Sequence, residues 1–387
     1  MLRHKHLLWL AALSLLAVQP VLAINVQVGT CKGKLPSYPT ISSAVSSVPP
    51  GSTVQVCPGI YPEQVTITEP LNLTGVANGT ADQVLIAVPA LGLVENTVSM
   101  FGEPVAAQVL VQSAAPVNIT NISVDGTGGD MACGLNTWVA GIFYTSTSSG
   151  TVLRTRASNQ TDGGCGVGIW AENSDSETQS ITIQNSSVYN VDNAGIFTAS
   201  SYTPSSLSVN LINNEVNVPL AVSGIFAEDV TGVVRSNDIA NVAVGIFAES
   251  AVISATSNTI IASGYGLFLG SGGTAVSNNV IDSNIGVLLD GPGATINNNR
   301  IVSSGAAGIE LDCFTAIVNG NFINDAPVGI DQSTVGAGSN NFANTTTTIT
   351  NGCVTAAVAK PAMHSNIRSK AQGQWHTPAT PFGTRRK

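Results

Sequence analysis

Between Gly224 and Asp331 the chain writes one short phrase six times. Gly224-Ile225-Phe226 returns as Gly245-Ile246-Phe247, Gly266-Leu267-Phe268, Gly286-Val287-Leu288, Gly308-Ile309-Glu310 and Gly329-Ile330-Asp331, at steps of 21, 21, 20, 22 and 21 residues. A second mark, Asn237, Asn258, Asn278, Asn299 and Asn321, follows the opening Gly by 12 or 13 residues, with Ile or Val two residues beyond it. Self-similarity at a fixed short period means stacked repeats. The unit is too short for two helices and a turn. Its Val, Ile, Thr, Asn, Ser and Gly favour pleated strands joined by tight turns. Three such strands make one coil of a parallel β-helix, whose apolar side chains are buried only when coils stack at about 4.8 Å.

The period of two along a strand sets the facing. Ile225 and Ala227 share one face with Ile246, Ala248, Leu267, Leu269, Val287, Leu289, Ile309 and Leu311, all apolar, which is therefore the inside. Phe226 and Glu228 lie on the outside. The Asn residues stack at one turn, where their amides can bond one another along the stack and tolerate left-handed backbone. Upstream the phrase is looser: Gly141, Gly168 and Gly195 step by 27, 27 and then 29 residues to Gly224, with polar loops grown out at 173–180 and 200–206. At the entry, Ile41, Ala44, Val45 and Val48 share one side of a short helix, ended by Pro49-Pro50-Gly51. Val-x-Val-x-Pro-Gly-x-Tyr-x-Glu follows from Val54, then Leu71-Asn72-Leu73-Thr74-Gly75.

The Gly-Ile-x-Leu…Asn-x-Ile phrase resembles the right-handed parallel β-helix repeats of the pectate-lyase-like superfamily, the NosD-type periplasmic repeats in particular. The entry is similar to the N-terminal cap of pectin-esterase-like β-helices. The resemblance implies the fold over most of the chain. It implies no single activity, because that superfamily holds lyases, hydrolases, esterases, epimerases, adhesins and binding proteins.

The expected organisation is a signal peptide over 1–23, an N-terminal cap and first coils over 24–75, the β-helix over 76–353, and a basic tail without fixed structure over 354–387. The first segment has a charged start (Arg3, Lys5), an apolar run (Leu7 to Val18) and Val21-Leu22-Ala23 as a cleavage site. This predicts a secreted or periplasmic protein with no transmembrane segment once the signal is removed. Six Cys in an exported chain suggest disulfides, and sequence proximity favours Cys31–Cys57, Cys133–Cys165 and Cys313–Cys353. For the middle pair, free buried thiols remain an alternative. Between Leu35 and Ala359 four Arg face all 23 acids, a balance of −19, whereas the whole chain is formally −9. Such a body repels nucleic acid and anionic lipid, and a polyuronate too unless a cation bridges the two.

Two outward features carry the functional expectation. Trp170, Phe197, Phe226, Phe247 and Phe268 continue an aromatic row begun at Phe143, with Glu172, Glu228 and Glu249 beside it. An open row could hold sugar rings; the alternative is that a loop, the tail or a second subunit covers it. Where the row ends, Asp290, Glu310, Asp312 and Asp331 form a square of four acids. These could be a general acid and base pair, a Ca²⁺ site, or a solvated acidic surface. No cofactor is otherwise required. The body has no His, and no Lys after Lys34, so no Ser-His-Asp or Cys-His arrangement can form there. The polygalacturonase motifs Asn-Thr-Asp, Asp-Asp, Gly-His-Gly and Arg-x-Lys are missing. The leading expectation is a non-catalytic protein binding polysaccharide or a cell-surface partner along the aromatic–acidic face. The alternatives are a Ca²⁺-assisted lyase, hydrolase or epimerase using the four acids, and a purely structural scaffold.

Overall fold

The computed structural model describes residues 22–76, 83–113, 116–129, 137–161, 163–201, 205–332, 338–350 and 353. Nearly every described element is a strand, and the strands wind as a right-handed parallel β-helix. One coil of the regular part runs Val252–Thr256, then Thr259–Leu269, which bends in its middle. The next runs Thr274–Val276, Asn279–Ile281 and Ile285–Leu289. The first strand of each coil joins a 13-stranded sheet. The other two build a continuous 23-stranded sheet that turns the corner between the remaining faces. Among the described residues ladder pairing is parallel apart from one antiparallel hairpin, Thr97–Val98 against Pro104–Val105.

The two marks of the repeat have one structural cause. The opening Gly and the Ile two residues after the Asn meet inside the coil. A Cβ on Gly245 would sit 2.2 Å from Ile260 Cγ2 and 2.5 Å from the carbonyl oxygen of Gly266 in the next coil. Gly224, Gly266, Gly286 and Gly308 stand against Ile239, Val280, Ile301 and Ile323 in the same way. Glycine is held there by close approach.

The Asn stack forms as expected and is buried. Each side-chain N–H donates to the amide oxygen of the next Asn and to a carbonyl of the preceding strand. Asn258, for example, donates at 2.9 Å to both Asn278 Oδ1 and Val234 O. The same Asn258 Oδ1 accepts from the backbone N–H and the side chain of Asn237, each at 2.9 Å. The ladder extends to Asn214 and Asn340, which lie outside the repeat as read from sequence. The left-handed backbone belongs to the residue before each Asn instead: Ser236, Ser257, Ser277 and Asn298 have φ of 55°, 56°, 57° and 57°. The Asn side chain is spent on the ladder, so its neighbour makes the corner.

The cap is a helix over Ile41–Val45 with Thr40 and Ser43 in a reciprocal capping box. Glu63 also accepts from the Ile41 and Ser42 N–H groups at 2.8 and 2.9 Å. Ile41, Ala44 and Val45 close the end of the main core. Cys31–Cys57 and Cys313–Cys353 are disulfides. Cys165 is also disulfide-bonded, while Cys133 lies outside the described residues. So do nearly all of the expected signal segment and the tail from 354 onward. Among the described residues no helix is long and apolar enough to cross a membrane.

Candidate functional site

The aromatic row stacks in the expected register: Phe143 opposite Trp170, then Phe197, Phe226, Phe247, Phe268, Leu288, Glu310 and Asp331, coil by coil. Ring centroids of Phe197, Phe226, Phe247 and Phe268 are 5.0, 4.9 and 4.4 Å apart in stacked geometry. The row is closed. Its exposures run from 0% at Phe143 and 1% at Trp170 and Phe197 to 7% at Phe226, with 4% at Phe247 and Phe268. Together with Val105, Leu110, Trp138, Val244 and Ile285 it forms a second hydrophobic core outside the coil.

The cover comes from the chain itself. Met100 and Phe101, at the tip of the antiparallel hairpin, pack on the upper half, with Phe101 edge-on to Phe197 at 6.1 Å. Val222 and Tyr265 close the lower half. Trp170, Phe197, Phe226, Phe247 and Phe268 thus offer no open platform: of the two alternatives for the row, open or covered, the rings take the covered one. Outward-pointing apolar rings of this area are unfavourable in water, and an inserted hairpin removes them from it.

The acids separate into different environments. Glu172 is buried under the hairpin tip, 2% exposed, and accepts from the Met100 N–H at 2.8 Å. Burial pushes its carboxyl from the ordinary 4.5 up to about 8, opposed by the Met100 hydrogen bond and by the Trp170 indole. That indole N–H favours charge without making a hydrogen bond of normal geometry, and Glu172 Oε2 has no hydrogen-bond partner. Glu228 and Glu249 face each other on adjacent strands, half-buried.

At the far end Glu310 lies opposite Asp331. Asp331 accepts from the Gln332 N–H at 2.8 Å and from the Thr350 hydroxyl. The Gln332 side-chain N–H reaches Glu310 at 3.4 Å. Asp290 is half-buried and Asp312 is buried with left-handed φ of 46°. Asp312 thus serves the turn before the Cys313 disulfide. Among the described residues no three His, Cys, Asp or Glu side chains come together to hold a metal ion.

What the molecule leaves open is the outer side of the 13-stranded sheet. One unbroken column there runs Thr53, Asn72, Asn118, Thr151, Thr182, Asn210, Val233, Ser254, Thr274 and Thr295. These side chains are all partly exposed, and several bond along the column: Asn118 donates to Asn72 at 2.9 Å and Thr274 to Ser254 at 3.2 Å. The parallel column is mixed: Gln55, Thr74, Thr120, Gln184 and Thr256 alternate with Leu153, Ile212 and Val276, and Arg235 is its single charge. The signal was present in sequence as polar residues at alternate positions, but the Gly and Asn marks do not fall on this strand. A groove of about 600 Å³ lies elsewhere, over turns lined by Leu220, Val242, Ile261 and Asp282.

No protein-family model and no curated protein sequence matches the chain. Among solved structures it is similar to the GH136 lacto-N-biosidase from Eubacterium ramulus, at 12% identity over 83% of this chain and 68% of that one, with a TM-score of 0.49. It is also similar to the A-module of the mannuronan C-5 epimerase AlgE4 from Azotobacter vinelandii, at 14% identity over 80% of this chain and 90% of that one, TM-score 0.45. The periplasmic alginate epimerase AlgG matches at 12% identity over 80% of this chain and 83% of that one, TM-score 0.46. On its own strand order and register, the chain is a right-handed parallel β-helix repeat protein.

Proposed function

We propose that this is an exported, non-catalytic β-helix protein that binds a neutral polysaccharide along the open face of its 13-stranded sheet. The observation that carries the reading is the in-register column from Thr53 to Thr295, which holds Thr, Asn or Ser at every position but Val233. Hydroxyls and amides at strand spacing, about 4.8 Å apart, give a long polymer repeated donors and acceptors without one deep pocket. The acidic body selects against polyuronates. The lack of His and Lys between 35 and 359 supports a binding role over a catalytic one. The disulfides support export to an oxidising compartment.

The test is co-sedimentation of the protein with insoluble neutral and acidic glycans. Replacing Thr182 and Thr274 by Glu should abolish retention on the neutral glycan that wild type binds. Retention unchanged by both substitutions would remove this face from the account. A second reading, an acid and base pair for glycoside cleavage, is favoured by the direct opposition of Glu310 and Asp331 on adjacent strands. Product release from the same glycans that is lost in Glu310→Gln would support it; no turnover across the panel would exclude it.

A further inference from the structure

Glu172 takes no part in the proposed function. It is a buried carboxylate on the strand Gly166–Asn173, roofed by the tip of the antiparallel hairpin. The tip is Ser99-Met100-Phe101-Gly102. Ser99 and Glu103 close it with an N–H to carbonyl bond of 2.8 Å, the Gly102 N–H returns to Ser99 at 3.0 Å, and the Ser99 hydroxyl takes the Phe101 and Glu103 N–H groups at 3.3 and 3.2 Å. Most of these bonds lie within the tip and would survive its lifting.

The tip meets the body through the Met100 N–H, which donates to Glu172 Oε1, and through Met100 and Phe101, which pack on the outer core with Phe101 edge-on to Phe197. The stem is tied separately, through Asn96 and Gln64 to Ala107 and Val94. The bonds that tie the stem are thus separate from the contacts that seat the tip, and a hinge between them falls at 97–98 and 103–104. Beneath the tip, Glu172 Oε2 and the Trp170 indole nitrogen are both buried, and the indole N–H reaches the carboxyl without a hydrogen bond of normal geometry.

We propose that the hairpin tip 99–102 is a pH-sensitive latch: it closes over a neutral Glu172 and lifts when that carboxyl ionises, baring Trp170 and Phe197. An ionised carboxylate with one oxygen unsolvated is strongly unfavourable in this apolar setting. Lifting the tip lets water solvate it. The charged groups on the packed elements do not offset that charge. The hairpin carries Glu95 and Glu103, the loop after the strand carries Asp175 and Glu177, and Glu228 lies two coils along. All are acids. Glu95 is engaged by the Thr137 hydroxyl at 2.5 Å.

Burial holds the closed-state carboxyl at about 8, against 4.5 when solvated. A raised carboxyl contributes stability to the closed form that is full below about pH 4.5 and is lost as pH rises through about 8. Opening therefore becomes easier with each unit of pH in that window and levels off above it.

The experiment is backbone hydrogen exchange on the full chain from pH 5 to 9, with intrinsic rates divided out. Protection of the Met100 amide should fall at least tenfold between pH 5 and 8 and then flatten, and in Glu172→Gln it should not vary with pH. Phe101→Ala should lower tip protection at every pH without moving the window. The latch is overturned if wild-type protection at Met100 is constant, if Glu172→Gln shows the same fall, or if Phe101→Ala leaves the tip unchanged. It is also overturned if the Asn258 amide in the ladder loses protection in parallel, because the opening would then be global.

Discussion

Two outward faces of the same coils have opposite fates. The column two residues after each opening Gly and the column on the 13-stranded sheet both point away from the core by the same alternation. The first carries Phe and Trp and is roofed by the hairpin tip and by Val222 and Tyr265. The second carries Thr, Asn and Ser and stays partly exposed along its length. Strand geometry decides which way a side chain points; its chemistry decides whether some other part of the chain is drawn over it. Apolar rings gain from cover, whereas hydroxyls and amides lose bonds to water unless each is re-paired.

The largest expected contrast between the faces is in stability. Trp170→Ala should cost about 3–5 kcal/mol, because it empties a packed outer core. Thr182→Ala on the open sheet should stay within about 0.5 kcal/mol. Paired denaturant melts read both, and equal costs would erase the distinction. The second contrast sets buried polar groups against exposed ones. Asn258→Ala strands ladder partners on both sides and should cost about 3 kcal/mol. By comparison Asn241→Ala, which removes an exposed 3.0 Å bond to Asn217, should cost about 1 kcal/mol or less. The smallest of the three is Gly245→Ala, at about 1–3 kcal/mol from overpacking against Ile260. A thermal melt that moves no more for this variant than for Thr182→Ala would show that the close approach is relaxed.

The coil architecture was readable because its two marks obey fixed contacts. Gly must be small against the Ile of the Asn-x-Ile strand, and Asn must bond its counterparts in adjacent coils. Both constraints recur every coil, so both are periodic in sequence. The cover over the aromatic row was not readable, because the hairpin at 97–105 occurs once and makes its contacts at long range. Alternation identified Phe226 and Phe247 as outward and could say nothing of their exposure. Glu172 illustrates the same limit. Its place in the acidic column beside Glu228 was legible, but its burial was not, since it follows from Met100, 72 residues away. Of the four acids near the C-terminal end, Glu310 and Asp331 lie opposite each other on neighbouring coils. What separated them was local: Asp312 turns the chain toward a disulfide and Asp331 is engaged by Thr350 and Gln332.

Hydroxyl-radical footprinting at pH 6, read residue by residue by mass spectrometry, tests the closed aromatic face most directly. The account predicts that Trp170, Phe197 and Phe247 stay nearly unmodified while Leu91 and Ile60, 98% and 70% exposed, label readily. Labelling of Trp170 and Phe247 as fast as Leu91 would contradict it, and would return the aromatic row to the solvent and to the list of binding surfaces.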